Sequence, residues 1–222
     1  MNYKRVTLIC GHYGSGKTNV AVNMAFDLKK KRPETAIADL DIVNPYFRTL
    51  DSKEDLDARG IRLICSAFAN SNLDAPALPS DIYSITDEPE QSVIVDVGGD
   101  ERGALALGRI SGALAEENNF DMFMVINCYR PLTRNVAELS DVKKEIELAG
   151  RLPFTGLINN SNLGRQTTAQ SVLDSLSYAR EASESLGLPL VMTSYDGRLD
   201  AELREKVPNP FPLQLQRTVL DK

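Results

Sequence analysis

The chain has 222 residues, a length suited to one large α/β domain with a substantial core. Its 42% hydrophobic and 25% charged residues match ordinary globular proteins and exclude a disordered, collagen-like or disulfide-stapled chain. The 25 basic and 31 acidic residues leave a net charge of −6, so no chain-wide cationic field attracts nucleic acid or anionic lipid. We therefore expect no nucleic-acid partner.

The cysteines and the hydropathy pattern indicate the cellular compartment in which the protein is expected. Cys10, Cys65 and Cys128 are far apart, without the paired spacing of a disulfide framework or a zinc site. The N-terminus reaches glycine and charge too early for a signal peptide, and no apolar run approaches the ~18 residues of a membrane span. These features predict a soluble, cytoplasmic protein without stable membrane insertion.

Short apolar runs alternate with longer amphipathic stretches, the pattern of βαβ units. The predicted strands cover residues 6–10, 35–38, 61–65, 93–97, 122–127, 155–159 and 190–193. The predicted helices cover residues 17–31, 104–118, 134–149, 170–186 and 199–206. Gly150 and Gly187 are expected to be C-terminal helix caps. The unbroken hydrophobicity of the strands predicts an α/β fold of three layers, with a doubly wound, mostly parallel sheet and a single domain over residues 1–222.

Two segments depart from this alternation. Residues 66–90 are rich in small residues and Pro, with order recovering only at 82–86, and we interpret them as an excursion beside the functional site. Residues 208–222 combine scattered apolar side chains with too few basic residues for a membrane-binding helix. We expect this tail to be docked or frayed.

The sharpest motif lies between the first predicted strand and the first predicted helix. It has the pattern GxxxxGK[ST] and consists of Gly11, His12, Tyr13, Gly14, Ser15, Gly16, Lys17 and Thr18. The glycines permit positive φ angles and a close approach to an anion, so backbone N–H groups line a cradle at a helix N-terminus. Lys17 is then the cation for the β- and γ-phosphates, and the Thr18 hydroxyl is a ligand for Mg²⁺. The alternative is a tight turn with an incidental lysine.

Carboxylates follow two other predicted strands. Asp39 and Asp41 form a DxD after the second strand, and Asp96 begins a DxxG motif whose last residue is Gly99. The carboxyl ends of parallel strands form the edge at which open α/β folds bind ligands. We therefore predict that Asp96 holds Mg²⁺ directly or through water and that the Gly99 N–H reaches a γ-phosphate. The alternative for these aspartates is a solvated strand end.

The N-terminal phosphate loop, the DxD and the later DxxG together resemble the MinD/ParA/CobQ/CobB group of deviant Walker P-loop ATPases. The resemblance spans most of the chain and implies a P-loop NTPase fold of the MinD-like, SIMIBI type. It implies that Asp41 orients the attacking water, that Asp39 lies near the metal, and that residues 41–49 form switch I.

One position departs from the group. His12 stands where the group commonly has a signature Lys that reaches the phosphates across a nucleotide-sandwiched dimer. His12 is therefore either a modified donor to a partner's nucleotide or an ordinary loop residue, and a nucleotide-linked homodimer stays open. Within switch I, Tyr46 and Phe47 are candidates for a partner surface and Arg48 for a phosphate contact, with local packing as the alternative.

Two features of the sequence bear on which nucleotide base the protein binds. No NKxD or TKxD motif occurs, which removes the usual guanine-reading device and favours ATP. Residues 155–162 are similar to the strand end by which the nitrogenase iron protein and its MinD-like relatives hold adenine through an Asn amide. Asn160 is the matching position, and an amide can both donate and accept at the ring edge. The alternative is a polar turn, and Tyr195 and Asp196 are second candidates.

Three functions stay open. The first is a Mg²⁺-dependent ATP switch that engages a protein partner and resets by slow hydrolysis. The second is a small-molecule synthetase or kinase of the CobQ/CobB and dethiobiotin synthetase type, with its substrate held by residues 66–90, Asn44 and Arg130. The third is a regulator that binds ATP or GTP and hardly turns it over. The absence of a basic cluster beside residues 66–90 favours the switch.

Overall fold

The computed structural model describes residues 1–41, 49–65, 80–99 and 101–216. Predictions that concern Asn44, Tyr46, Phe47 and Arg48, residues 66–79, or the tail beyond residue 216 lie outside the described residues.

The described strands form one parallel sheet in the order β3-β2-β4-β1-β5-β6-β7-β8. They are β1 (Val6–Cys10), β2 (Thr35–Leu40), β3 (Arg62–Ile64), β4 (Ser92–Val97), β5 (Phe120–Ile126), β6 (Gly156–Asn159), β7 (Leu190–Asp196) and β8 (Pro210–Leu213). Every predicted strand is present, with small shifts at the ends. The sequence did not predict β8 because its two prolines cannot donate to a ladder, which restricts such a segment to the edge of a sheet.

The helices connect these strands, and two of them, α2 and α3, were not predicted from the sequence, while α8 is shorter than the predicted helix over residues 199–206. They are α1 (Lys17–Lys29), α2 (Lys53–Ala58), α3 (Ser84–Asp87), α4 (Glu101–Leu107), α5 (Ser111–Glu117), α6 (Val136–Gly150), α7 (Ala169–Leu186) and α8 (Asp200–Leu203). None of the helices within the described ranges has the length and apolar character to cross a membrane.

The prediction of one helix over residues 104–118 was wrong, because the chain breaks it into α4 and α5. A Cβ at Gly108 would lie 3.1 Å from the Ala149 carbonyl oxygen, so α4 ends where it packs closely on α6. Gly150 is also not a cap: it is the last residue of α6, and Arg151 is the C-cap with a φ of 57°. Gly187 caps α7 with a φ of 64°, as predicted.

Apolar side chains alternate between the two faces of the sheet. Ile9, Ile37 and Ile94 pack with α1 and α2 on one face. Residues of the same strands such as Leu8 and Val95 pack with α4 to α7 on the other face. This alternation produces the three layers and confirms the predicted doubly wound parallel sheet.

The strand order determines which edge of the sheet carries the functional site. The central strand β1 lies between β4 and β5, and the chain leads to β2 to β4 on one side and to β5 to β8 on the other. The loop after β1 is therefore at the topological switch point, where open α/β sheets bind ligands. The described part of the predicted excursion lies elsewhere. The Ile85 carbonyl accepts a hydrogen bond at 2.8 Å from Arg5, which precedes β1 at the opposite edge of the sheet.

The described part of the C-terminal tail is docked, which is one of the two expected alternatives. Beyond β8, the Gln214 N–H donates to Asn23 Oδ1 at 2.7 Å, and the Gln216 N–H donates to Asn19 Oδ1 at 3.0 Å. Both asparagines belong to α1. These backbone contacts hold residues 214–216 on the helix that follows the phosphate loop.

Candidate functional site

The loop between β1 and α1 has the conformation expected of the glycine-rich motif. Gly11, Gly14 and Gly16 have φ angles of 140°, 78° and 87°, a region that L side chains rarely adopt. Gly16 is the N-cap of α1, and no described side chain caps this terminus. Because the first N–H groups of a helix lack intrahelical partners, the loop presents donors and a partial positive charge to an anion.

Lys17 and Gly99 meet at the mouth of this loop. Lys17 is 6% exposed, and its Nζ donates to the His12 carbonyl oxygen at 3.4 Å. A Cβ at Gly99 would lie 2.8 Å from that Nζ and 2.7 Å from the backbone N of Tyr13. The DxxG glycine therefore packs directly on the phosphate loop, where any side chain would displace its neighbours.

The three predicted carboxylates lie at the same edge of the sheet. Asp39 and Asp96 are register partners in β2 and β4, and both are buried. The backbone N–H of Asp41 donates to Asp39 Oδ1 at 2.9 Å. A Cβ at Gly98 would lie 3.4 Å from Asp41 Oδ1, which places Asp41 beside the DxxG segment.

Asp96 is the most buried of these carboxylates. Burial raises its pKa to about 6, although the Lys17 ammonium and the Thr18 hydroxyl act in the opposite direction. Thr49 is fully buried, and its Oγ1 donates to Asp96 Oδ2 at 3.2 Å. Within the described ranges, the other oxygen, Oδ1, has no hydrogen-bond partner. Buried carboxylate oxygens normally have one, so this buried atom retains the capacity to accept a bond from a metal ion or a donor group.

The donor set fits Mg²⁺. This ion is usually held by one or two carboxylates together with oxygens of the substrate phosphates and water. The described chain offers the unpartnered Asp96 Oδ1 and the nearby Thr18 hydroxyl, with Asp39 on the adjacent strand. No group of three His, Cys, Asp or Glu side chains that could hold a metal occurs among the described residues.

Asn160 follows β6 and lies against the phosphate loop, where it is 3% exposed. Its Nδ2 donates to the Ser15 carbonyl oxygen at 2.7 Å, and its Oδ1 accepts from the Ser194 hydroxyl at 2.9 Å. The sequence suggested that this amide contacts adenine. In the structure both ends of the amide bind protein groups, so a base contact would have to share or break these bonds. The adenine contact stays a prediction.

The turn after β5 brings Arg130 to the phosphate loop. Asn127 and Thr133 are fully buried, and Thr133 Oγ1 donates to the Asn127 carbonyl at 2.9 Å, which holds the turn together. The exposed Arg130 places its Nε 3.8 Å from the position of a Cβ at Gly14. Leu132, in the same turn, has a φ of 64°, a strained conformation for a non-glycine residue.

The other residues that were predicted to contact the ligand lie at different places in the structure. The His12 ring approaches the Tyr13 carbonyl, with Nδ1 at 3.1 Å, and the Tyr13 side chain is 57% exposed on the loop. Tyr195 is buried, and its hydroxyl donates to Asp200 Oδ1 at 2.8 Å. Asp196 pairs with Arg198 at 2.8 Å. Tyr195 and Asp196 thus contact protein groups, and their contact with a base stays a prediction.

Sequence reasoning missed the roles of Thr49 and Ser194. Thr49 ends the predicted switch I segment, a position that could have drawn attention to it. Ser194 carries no local signal, because it meets Asn160 only through the pairing of β6 and β7.

Comparison with known proteins supports the fold. No protein-family model matches the chain, and no curated protein matches its sequence significantly. Among solved structures, FtsY from Mycoplasma mycoides is 16% identical, with a TM-score of 0.55 over 85% of this chain and 59% of that one. The cell division protein FtsY from Thermotoga maritima is 16% identical, with a TM-score of 0.59 over 92% and 64%. Chloroplast FtsY from Physcomitrella patens is 18% identical, with a TM-score of 0.52 over 87% and 59%.

These similarities establish the fold alone, and the chain spans only about three fifths of the length of these proteins. The parallel sheet, its strand order and the loop after β1 define an α/β P-loop NTPase fold of the SIMIBI type.

Proposed function

We propose that this protein binds Mg·ATP and serves as a slow ATPase whose nucleotide state controls a protein partner. One observation carries the proposal: the Lys17 ammonium is held between the His12 carbonyl and Gly99 at the head of α1. A buried cation beside a helix N-terminus with uncapped N–H groups is suited to a polyphosphate.

The metal would be held by Thr18, Asp39 and Asp96. A bound Mg²⁺ supplies charge that offsets the negative charge of the phosphate oxygens and of the reaction's transition state. The unpartnered Asp96 Oδ1 supports this assignment, since the ion gives that buried oxygen a partner.

Hydrolysis would depend on Asp41, which we propose orients the attacking water. Its position is set from two sides, by its own N–H bond to Asp39 and by its approach to Gly98. We expect Asp41→Ala to lower the rate of ATP hydrolysis about 100-fold or more, the contribution typical of a positioned base. The affinity for ATP should change little, and a variant that hydrolyses ATP at the wild-type rate would exclude this role.

The switch would act through the segments that meet at Asp96 and Lys17. Thr49 connects the end of residues 41–49 to Asp96, and Gly99 connects the DxxG segment to the phosphate loop. A γ-phosphate and its metal would compete for these same groups. Nucleotide binding would therefore reposition both segments, which is how phosphate-sensing switches reach a partner.

The finer assignments are also proposals. We propose ATP rather than GTP because no NKxD or TKxD motif occurs, and competition calorimetry with both nucleotides tests this choice. We propose a single-domain, cytoplasmic member of the MinD/ParA/CobQ/CobB-like group in which His12 replaces the signature Lys. Light scattering with and without Mg·ATP tests the nucleotide-linked homodimer.

A second function is favoured by Arg130. Its exposed guanidinium lies beside Gly14, where it could bind the anionic acceptor of an ATP-dependent synthetase or kinase. Turnover that requires a small carboxylic acid, rather than a protein, would support this function over the switch.

Calorimetry on the full chain tests ATP binding itself. Replacing Lys17 with Ala removes a buried cation from its phosphate partner, and we expect the affinity for Mg·ATP to fall about 100-fold. Lys30→Ala is the matched control, because Lys30 is an exposed lysine just past the end of the same helix. Equal affinity in both variants would overturn the proposed site.

A further inference from the structure

The hydrogen bonds of Asn160 suggest a role that differs from reading a base. The amide Nδ2 donates to the Ser15 carbonyl, and a carbonyl can only accept, so the orientation of the amide is fixed. The Ser194 hydroxyl donates to the other end, Oδ1, at 2.9 Å. Asn160 follows β6 and Ser194 belongs to β7. Residues from two neighbouring strands in one half of the sheet therefore hold the Asn160 amide against the phosphate loop.

The contact determines the direction of a backbone donor. The described peptide bonds are all trans, so the C=O and the following N–H of each peptide point in opposite directions. Because Asn160 Nδ2 donates to the Ser15 carbonyl, the Gly16 N–H of the same peptide points away from Asn160. That N–H belongs to the N-cap of α1, where the proposed phosphates would lie.

The fit between the loop and Asn160 is tight. A Cβ at Gly16 would overlap Asn160 Nδ2, so glycine is required at this position for steric reasons as well as for its φ of 87°. The backbone around Asn160 is anchored too. Its N–H donates to the Ile126 carbonyl at 2.9 Å, and its carbonyl accepts from Asn162 Nδ2 at 2.7 Å.

We infer that Asn160, held by Ser194, is a positioning residue that sets the Ser15–Gly16 peptide of the phosphate loop. It thereby contributes to the binding of any triphosphate, whatever its base. This inference rests on the proposed nucleotide-binding function and names a device within the same site. It differs from an adenine contact, which would affect only ligands that carry that base.

Inorganic tripolyphosphate separates the two roles because it has no base. Calorimetry would measure the affinities of the full chain for Mg·ATP, Mg·GTP and Mg·tripolyphosphate, in wild type and in Asn160→Ala. We expect the variant to lose a similar factor, about tenfold, for all three ligands, because a buried carbonyl is left without its donor. A loss confined to ATP, or unchanged affinity for tripolyphosphate, would overturn the inference.

The neighbouring Asn159 provides a matched control. It is the last residue of β6, directly before Asn160, and is also buried. Its Nδ2 donates to Ser175 of α7 at 2.9 Å, on the opposite face, and its Oδ1 accepts from the Ser161 hydroxyl at 2.7 Å, so these bonds do not involve the phosphate loop. Asn159→Ala should lower the thermal midpoint without changing any of the three affinities. If it weakened binding as much as Asn160→Ala does, the effect would be general destabilisation and the inference would fail.

If Asn160→Ala does not fold, Ser194→Ala tests the inference instead. It removes the hydroxyl that donates to Oδ1 and, at 3.3 Å, to the Asn159 carbonyl, and it leaves the contact between Asn160 and Ser15 in place. We therefore expect a smaller loss, about threefold, again for all three ligands. Wild-type affinities in Ser194→Ala would count against the inference in that case. Failure of the proposed function is distinct, since the wild-type chain itself would then bind none of the three ligands.

Discussion

The close packing of Gly99 on the phosphate loop leads to a quantitative prediction for Gly99→Ala. The backbone of Gly99 is not in the left-handed region, so alanine carries no conformational penalty there. The added methyl carbon would instead lie 2.7 Å from the backbone N of Tyr13 and 2.8 Å from Lys17 Nζ. The lysine end can move, but the Tyr13 backbone can yield only if the loop shifts.

Overpacking of this kind costs about 1–3 kcal/mol. If the loop shifts in the free protein to relieve the overlap and nucleotide binding forces it back, this energy appears as an affinity loss of about 5- to 150-fold for Mg·ATP. If the overlap persists in both the free and the bound protein, the energy appears as a lower thermal midpoint, by about 2–4 °C for each kcal/mol in a chain of this size. Calorimetry and thermal unfolding of the same preparation measure both.

Gly112→Ala is the control for this substitution. Gly112 lies in α5, and a Cβ there would meet nothing within 4 Å. Alanine should stabilise the helix by about 0.5–1 kcal/mol and leave ATP affinity unchanged. Wild-type affinity and an unchanged midpoint in Gly99→Ala would show that the DxxG glycine does not rest on the phosphate loop.

Three further predictions concern other parts of the molecule. In metal-free protein at pH 7.5, Asp96→Asn should raise the thermal midpoint, because burial raises the folded-state pKa of Asp96 to about 6 and penalises its ionised form above that pH. The gain should vanish as pH falls from about 6 towards the unfolded-state pKa of about 4, and the variant should lose the Mg²⁺ dependence of ATP affinity. Arg5→Ala should lower the free energy of unfolding by about 3 kcal/mol, measured with denaturant, because it leaves the Ile85 carbonyl and Glu117 without their buried partner. As a control, breaking the exposed ion pair between Lys53 and Asp57 should lower it by less than about 1 kcal/mol. Arg130→Ala should lower the affinity for ATP about tenfold more than the affinity for AMP. Its free energy of unfolding should stay within about 0.5 kcal/mol of wild type. Equal losses of affinity for both nucleotides would contradict a phosphate contact.

The phosphate loop and the strands could be predicted because their signals are local. The glycine spacing from Gly11 to Gly16 specifies where the backbone must adopt positive φ, and each apolar run specifies a strand buried on both faces. Helix ends were less predictable. Gly150 has the composition of a cap, but its lack of a side chain serves the packing of α6 against Leu107.

The arrangement around the loop depends on contacts between distant residues. Asn160 binds a carbonyl 145 positions away, and Thr49 reaches Asp96 across 47 positions. Such pairs follow from the strand order, which no local pattern encodes. An asparagine after a strand is compatible with a base contact, a turn or a loop anchor. The choice among them depends on what the neighbouring strand places within about 3 Å of its amide, and here β7 supplies Ser194.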